Sequence, residues 1–193
     1  MKNMRIINKI LAVILVAQMI FCASAFCADA YINKLLVTNS DYEIVVYFDL
    51  GGAFTRDMEK AIENGIPTTF TFIIKLNEVN NMWFDSSLQK LKIYRTIKYD
   101  SLKKQYVVTQ TIDGFAEEEL KMTTEFSEAK KAMNEFDKIS IINTDKLKKM
   151  STYELQVKAE LAKVKLPFYL EYILLFVSIW DFETDWYTEK FTF

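Results

Sequence analysis

Two stretches of the chain alternate between apolar and polar positions. In residues 68–76, Phe70, Phe72, Ile74 and Leu76 share one parity, while Thr69, Thr71 and Lys75 hold the other. In residues 153–161 the alternation is cleaner, with Glu154, Gln156, Lys158 and Glu160 set between apolar neighbours. Successive side chains of a strand point to opposite faces, so both segments predict half-buried strands with one face in water. Residues 42–48, Tyr-Glu-Ile-Val-Val-Tyr-Phe, are rich in β-branched and aromatic types and predict a third. Further strands are expected at 32–38, 91–99, 105–112 and 138–142, with a terminal one at 185–193, which makes about eight.

Two segments change period. Met58, Ala61 and Ile62, with Phe54 just before them, fall on one helical face. Thr55 is placed to cap that helix, Gly65 to end it in a left-handed conformation and Pro67 to stop its continuation. Phe126, Ala129, Met133 and Phe136 repeat at helical spacing in a second helix beginning near Thr124. From Leu166 to Trp180 (166–180) the only charge is Glu171. That run is short for a membrane span, and Pro167 suits a first helical position, so a buried helix is expected. A surface that docks on a membrane or a partner is the alternative for this run. Alternating strands without βαβ spacing predict a mainly β fold. The expected architecture is a two-layer antiparallel β-sandwich of about 7–8 strands with two or three peripheral helices, α+β being the alternative.

The first thirty residues read differently. Lys2, Arg5 and Lys9 precede an uncharged stretch from Ile10 to Phe21, and Ala23, Ser24 and Ala25 follow. This is the order of a secretory signal peptide. Cleavage after Ala25 starts the chain at Phe26, and Ala28-Asp29-Ala30 offers a second site that starts it at Tyr31. Residues 1–25, or 1–30, are therefore expected as signal peptide, and 31–193 as a single β-rich, exported, periplasmic domain. An uncleaved anchor in the cytoplasmic membrane is the alternative, since only Gln18 and Ser24 interrupt the run from Ile10 to Ala28. Phe21 and Phe26 are too bulky to precede a lipidated Cys22 or Cys27.

Composition narrows the chemistry. Histidine is absent, which excludes imidazole bases, His-oriented nucleophiles and His metal ligands. Both cysteines fall within the first 27 residues, so the body has no disulfide framework and no Cys-rich metal cluster. Losing residues 1–25 removes three of 24 cationic residues and none of the 26 acidic ones, leaving a net charge of −5. Such a balance carries no electrostatic footprint for nucleic acid.

Few side-chain constellations remain. Ser87-x-x-Lys90, Ser101-x-x-Lys104 and Ser127-x-x-Lys130 match the spacing of a serine nucleophile and a lysine base, but nothing accompanies them and they read as surface coincidences. Asp181, Glu183 and Asp185 are weak candidates for a metal: on an extended strand they line one face, without the glycine and carbonyl ligands that calcium loops use. Glu117-Glu118-Glu119 reads as a solvated loop. Tyr169, Tyr172, Trp180, Phe182 and Trp186 concentrate aromatic surface near the C-terminus and form the candidate ligand or partner surface. No phosphate-binding, dinucleotide or nucleophile-elbow motif is present, so no cofactor is expected.

Four short motifs fit a known family. Gly65-Ile66-Pro67 entering the Phe70 strand, Tyr99-Asp100-x-Leu102 followed by Tyr106, Leu166-Pro167, and Trp180-Asp181-x-x-x-Asp185-Trp186 stand in sequence order. Together they resemble a bacterial exported family, domain of unknown function 4390, over residues 31–193. The resemblance implies no activity, no catalytic residues and no cofactor. It implies a periplasmic accessory whose partner is an envelope sensor kinase of a two-component system. On physical grounds Gly65, Pro67 and Pro167 are structural, and Trp180 and Trp186 are expected as core aromatics. A non-enzymatic interaction or sensory accessory protein of the envelope is the leading expectation. A module binding a small apolar or lipid-like ligand through the aromatic C-terminal region is the alternative.

Overall fold

The computed structural model describes residues 30–80, 86–113, 115–162 and 182–193. In chain order the elements are β1 (Tyr31–Asn39), β2 (Glu43–Gly51), α1 (Arg56–Glu63), β3 (Thr68–Glu78), β4 (Ser86–Asp100) and β5 (Gln105–Ile112). Then follow β6 (Glu118–Thr123), α2 (Phe126–Asn134), β7 (Glu135–Asn143), a 3-10 turn (Thr144–Lys146), β8 (Thr152–Leu161) and β9 (Tyr187–Thr192). The strands form a six-stranded sheet ordered β6-β5-β4-β3-β8-β9 and a three-stranded sheet ordered β1-β2-β7, and every neighbour is antiparallel. The mainly β, two-sheet architecture is thus the one the alternation predicts. The run from Leu166 to Trp180 lies outside the described residues.

Pleating decides which side chains meet. On β3, Phe70, Phe72, Ile74 and Leu76 are buried, and on β8 Tyr153, Leu155, Val157 and Ala159 are their buried register neighbours or lie in step with them. This inner face is covered by the three-stranded sheet and by both helices, whose Met58, Ile62, Ala129 and Met133 join the same core. Phe48 of β2 stacks on Phe136 of β7 at 4.3 Å, and Phe136 meets Phe72 of β3 edge-on at 4.4 Å. Three aromatic rings therefore carry the contact from one sheet to the other, a geometry favoured by ring quadrupoles beyond simple area burial. Thr55 caps α1 as expected, its Oγ1 accepting from the Met58 N–H at 3.2 Å.

Three local features depart from the sequence pattern. Phe136 continues the helical stripe of Phe126, Ala129 and Met133, yet α2 stops at Asn134 and Phe136 belongs to β7. Helix and strand join without a loop, and all four side chains point at one core. Glu118 and Glu119, expected in a solvated loop, lie instead in β6, the edge strand of the larger sheet, where only one side needs a partner. The terminal strand starts at Tyr187 rather than at Asp185.

A further departure is a charge inside the core. Arg95 stands in the inner phase of β4, between Ile93 and Ile97, and is 5% exposed. Its Nε donates to Gln110 Oε1 on β5 at 2.9 Å, and one terminal nitrogen donates to the Ala132 carbonyl at 2.9 Å and to the Glu135 carbonyl. The guanidinium carbon lies 3.4 Å from the centre of the Phe136 ring. Arg95 thereby satisfies carbonyls left open where α2 ends, and ties that junction to the larger sheet. Burial pulls its pKa from the ordinary guanidinium value down to about 9, against the opposing field of Asp137. The guanidinium is still charged at neutral pH.

Candidate functional site

The two sheets come together at their edges, β1 of the smaller one and β9 of the larger one. Between these edges opens a cleft of about 510 Å³, walled by Val37, Ile44, Phe191 and Phe193, with Lys149 and Met150 on its rim. Pairing of Val37 with Val46 puts Val37 on the inward side of β1, and Phe191 faces inward opposite Tyr153. The rim is held from behind. Leu147 is buried, the Tyr153 hydroxyl accepts the Lys148 N–H at 2.7 Å, and Lys148 Nζ donates to both carboxylate oxygens of Glu78 at 3.0 and 2.9 Å. That bond to Glu78 raises the Lys148 pKa above its ordinary value.

These ties leave Met150 in an unusual state. Its φ is +64°, and its side chain is 90% exposed beside the apolar cleft. A left-handed backbone costs an L-residue about 1–2 kcal/mol, and an exposed thioether recovers none of it by packing. Methionine is flexible and polarizable, the side chain best able to fold over an apolar guest of irregular shape. The cleft can hold an apolar body between Phe191, Phe193 and Val37, with the Lys149 ammonium at its mouth.

The aromatic surface expected near the C-terminus is divided by the structure. Phe182 packs edge-on against Phe70 at 5.0 Å and belongs to the inner side of the sheet. Trp186 lies on the opposite, outer face, with Lys75 Nζ 4.1 Å from its ring centre, and is 36% exposed. Trp186 is therefore a surface residue and not the core aromatic expected of it. Tyr169, Tyr172, Trp180, Pro167 and Asp181 lie outside the described residues. Of the acidic triplet, Glu183 is ion-paired with Lys158 and Asp185 is exposed. Among the described residues no three acidic or thiol side chains converge on one point. Gly65 takes φ +86°, the left-handed cap its place predicts, and Pro67 follows just before β3.

A family model, domain of unknown function (DUF4390), matches residues 28–190. The chain belongs to that family. No curated protein and no solved structure matches it. DUF4390 membership carries no known function, so its motif residues have to be read from their contacts. Tyr99 packs on Tyr106 at 4.8 Å across the β4–β5 hairpin. Asp100 accepts the Leu102 and Lys103 N–H groups at 3.0 and 3.1 Å, which fixes the turn between them and holds its carboxyl below the usual range.

The serine–lysine spacings have ordinary surroundings in this DUF4390 chain. Lys130 Nζ is bound to Glu59 at 2.6 Å and lies 5.4 Å from the ring centres of Phe54 and Phe126. Ser101 and Lys104 are exposed in the β4–β5 turn, and Ser87 and Lys90 lie on β4 opposite Asn77 and Lys75, with a register shift of the strand between them. The cleft residues Val37, Met150, Phe191 and Phe193 were not singled out by sequence. The available signal was the terminal Phe191-x-Phe193 pair, whose shared parity puts both rings on one face.

Proposed function

We propose that this DUF4390 protein is an exported, non-enzymatic sensory accessory of the bacterial envelope whose site is the cleft between β1 and β9. Its ligand is a small apolar or lipid-like molecule. The observation that carries the reading is the cleft itself: about 510 Å³, apolar walls, and a strained, exposed Met150 on the rim. A volume of that size lies within the range of small-molecule sites. Export rests on the order of charges and apolar residues in 1–30, and the sensor-kinase partner on the family resemblance. The absence of histidine supports a binding role over a hydrolytic one.

Native mass spectrometry of the chain purified from its own host is the direct test, and a retained mass of a few hundred daltons is expected. In parallel, an apolar fluorescent probe should bind the wild type and be excluded by Val37→Trp, which fills the cleft. A consistently empty mass together with equal probe binding by both chains overturns the reading.

A further inference from the structure

The outer face of the six-stranded sheet carries an arrangement that the cleft does not explain. Register places Lys75 of β3 directly opposite Lys90 of β4, and Ile73 directly between Lys92 of β4 and Lys158 of β8. Four lysines thus occupy two adjacent rows of one sheet face, within a cross-strand spacing of about 5 Å for direct neighbours. Like charges set directly opposite each other destabilise a sheet. Lys158 is compensated by Glu183, but among the described residues Lys75, Lys90 and Lys92 form no ion pair. Glu160, in the next row, is the nearest carboxylate by register that no lysine engages. Trp186 caps the rows, within 4.1 Å of Lys75 Nζ and 5.5 Å of Lys158 Nζ, with part of its ring still in water.

We propose that this face docks flat on an anionic phospholipid bilayer, Lys75, Lys90 and Lys92 meeting the phosphate headgroups and Trp186 seated among them. Charge complementarity names the occupant. On a chain with an overall acidic balance, uncompensated cations gathered on one sheet face orient that face towards negative charge. An exposed indole beside lysines has the amphipathic character that settles at headgroup depth. Each lysine near an anionic leaflet is worth about 1 kcal/mol, and the attraction fades beyond a Debye length. This inference does not depend on the cleft or its ligand.

The test is sedimentation of the full chain with large vesicles of phosphatidylcholine alone or with one-third phosphatidylglycerol. The wild type should bind the anionic vesicles in excess of the neutral ones, and 0.5 M salt should remove the excess. The variant Lys75→Gln/Lys90→Gln/Lys92→Gln should lose it too, by roughly a hundred-fold in partition, which is three lysines at about 1.4 kcal/mol per decade. A control, Lys60→Gln/Lys131→Gln/Lys138→Gln, removes the same charge from the opposite layer and should keep most of the excess. The single variant Lys75→Gln should melt no lower than wild type, since it relieves the facing pair. Equal binding to both vesicle types, an unaffected face variant, or equal loss in face and control variants overturns the proposal.

Discussion

Replacing Arg95 by alanine removes a buried cation from the place where α2 runs into β7. The wild-type side chain gains charge-assisted hydrogen bonds to Gln110 and to the Ala132 and Glu135 carbonyls, together with the Phe136 ring face. Such bonds contribute about 1.5–3 kcal/mol each, and a desolvated cation–π contact about 2 kcal/mol. Desolvation of the guanidinium offsets much of that sum, as its lowered pKa indicates. Alanine does not recover the desolvation cost in full. Gln110 Oε1 stays buried without its donor, at about 1–3 kcal/mol, two half-buried carbonyls lose theirs at a smaller cost, and a void opens beside Phe136. The expected loss is about 4 kcal/mol, within the range for breaking a buried polar network, or roughly 8–16 °C in Tm. Urea unfolding should show the midpoint falling at constant slope. A cycle with Gln110→Leu should give a coupling of at least about 1 kcal/mol, since one bond is shared. A cost below about 1 kcal/mol for Arg95→Ala, or strict additivity in the cycle, refutes the assignment of Arg95 as the tie between the sheets.

Phe136→Ala should cost about 3–5 kcal/mol, because it empties the centre of the ring contact between Phe48 and Phe72, and chemical denaturation measures it. Thr55→Ala should cost about 1 kcal/mol by loss of the cap on Met58 N–H, with Thr55→Ser restoring most of it. Gly65→Ala should cost about 1–2 kcal/mol from φ alone, since a Cβ there meets nothing nearer than the Tyr99 carbonyl at 3.9 Å. Acid should destabilise the chain in a defined way. A hydrogen bond from Thr123 and the charge of Lys121 hold the Glu128 carboxyl below its ordinary value, and the Lys103 and Leu102 N–H groups do the same for Asp100. Folded pKa values below the unfolded ones add stability that is complete above the ordinary carboxylate range and disappears as pH falls through the folded values. Tm should therefore hold from pH 7 to about 5 and drop below about 4, and Glu128→Gln with Asp100→Asn should flatten that drop. An unchanged acid slope would assign it to other carboxylates.

Much of the fold was legible because alternation reports burial on one face. β3 and β8 are interior strands of the larger sheet with one side in the core, and their parity is regular. β6 escaped because an edge strand exposed along its length has no apolar parity to read: Glu118, Glu119 and Lys121 are all exposed. The end of α2 escaped for the opposite reason, since Phe136 serves the same core from a strand as it would from a helix. Arg95 was visible as a charge in phase with Ile93 and Ile97, as was Gln110 in phase with Tyr106 and Val108. Sequence alone does not say that the two pair, because that needs the β4–β5 register. The cleft was hidden for a deeper reason: Val37 and Phe191 are far apart in sequence and meet only where two sheet edges converge. Trp186 was placed among core aromatics by its size, whereas the outward parity of its position next to Tyr187 decided its side.

The order in which strands pair also constrains how the chain reaches this state. β3, β4, β5 and β6 form successive hairpins, but β2 waits for β7 and β3 waits for β8, pairs such as Glu43 with Asn143 and Phe70 with Leu161. Loop closure of that length is slow relative to hairpin formation. During synthesis, β2 and β3 thus present bare hydrogen-bonding edges until the last third of the chain arrives, a period in which they are open to strangers. A cut at the α2–β7 junction would make that interval permanent, leaving two incomplete sheets rather than two smaller folds.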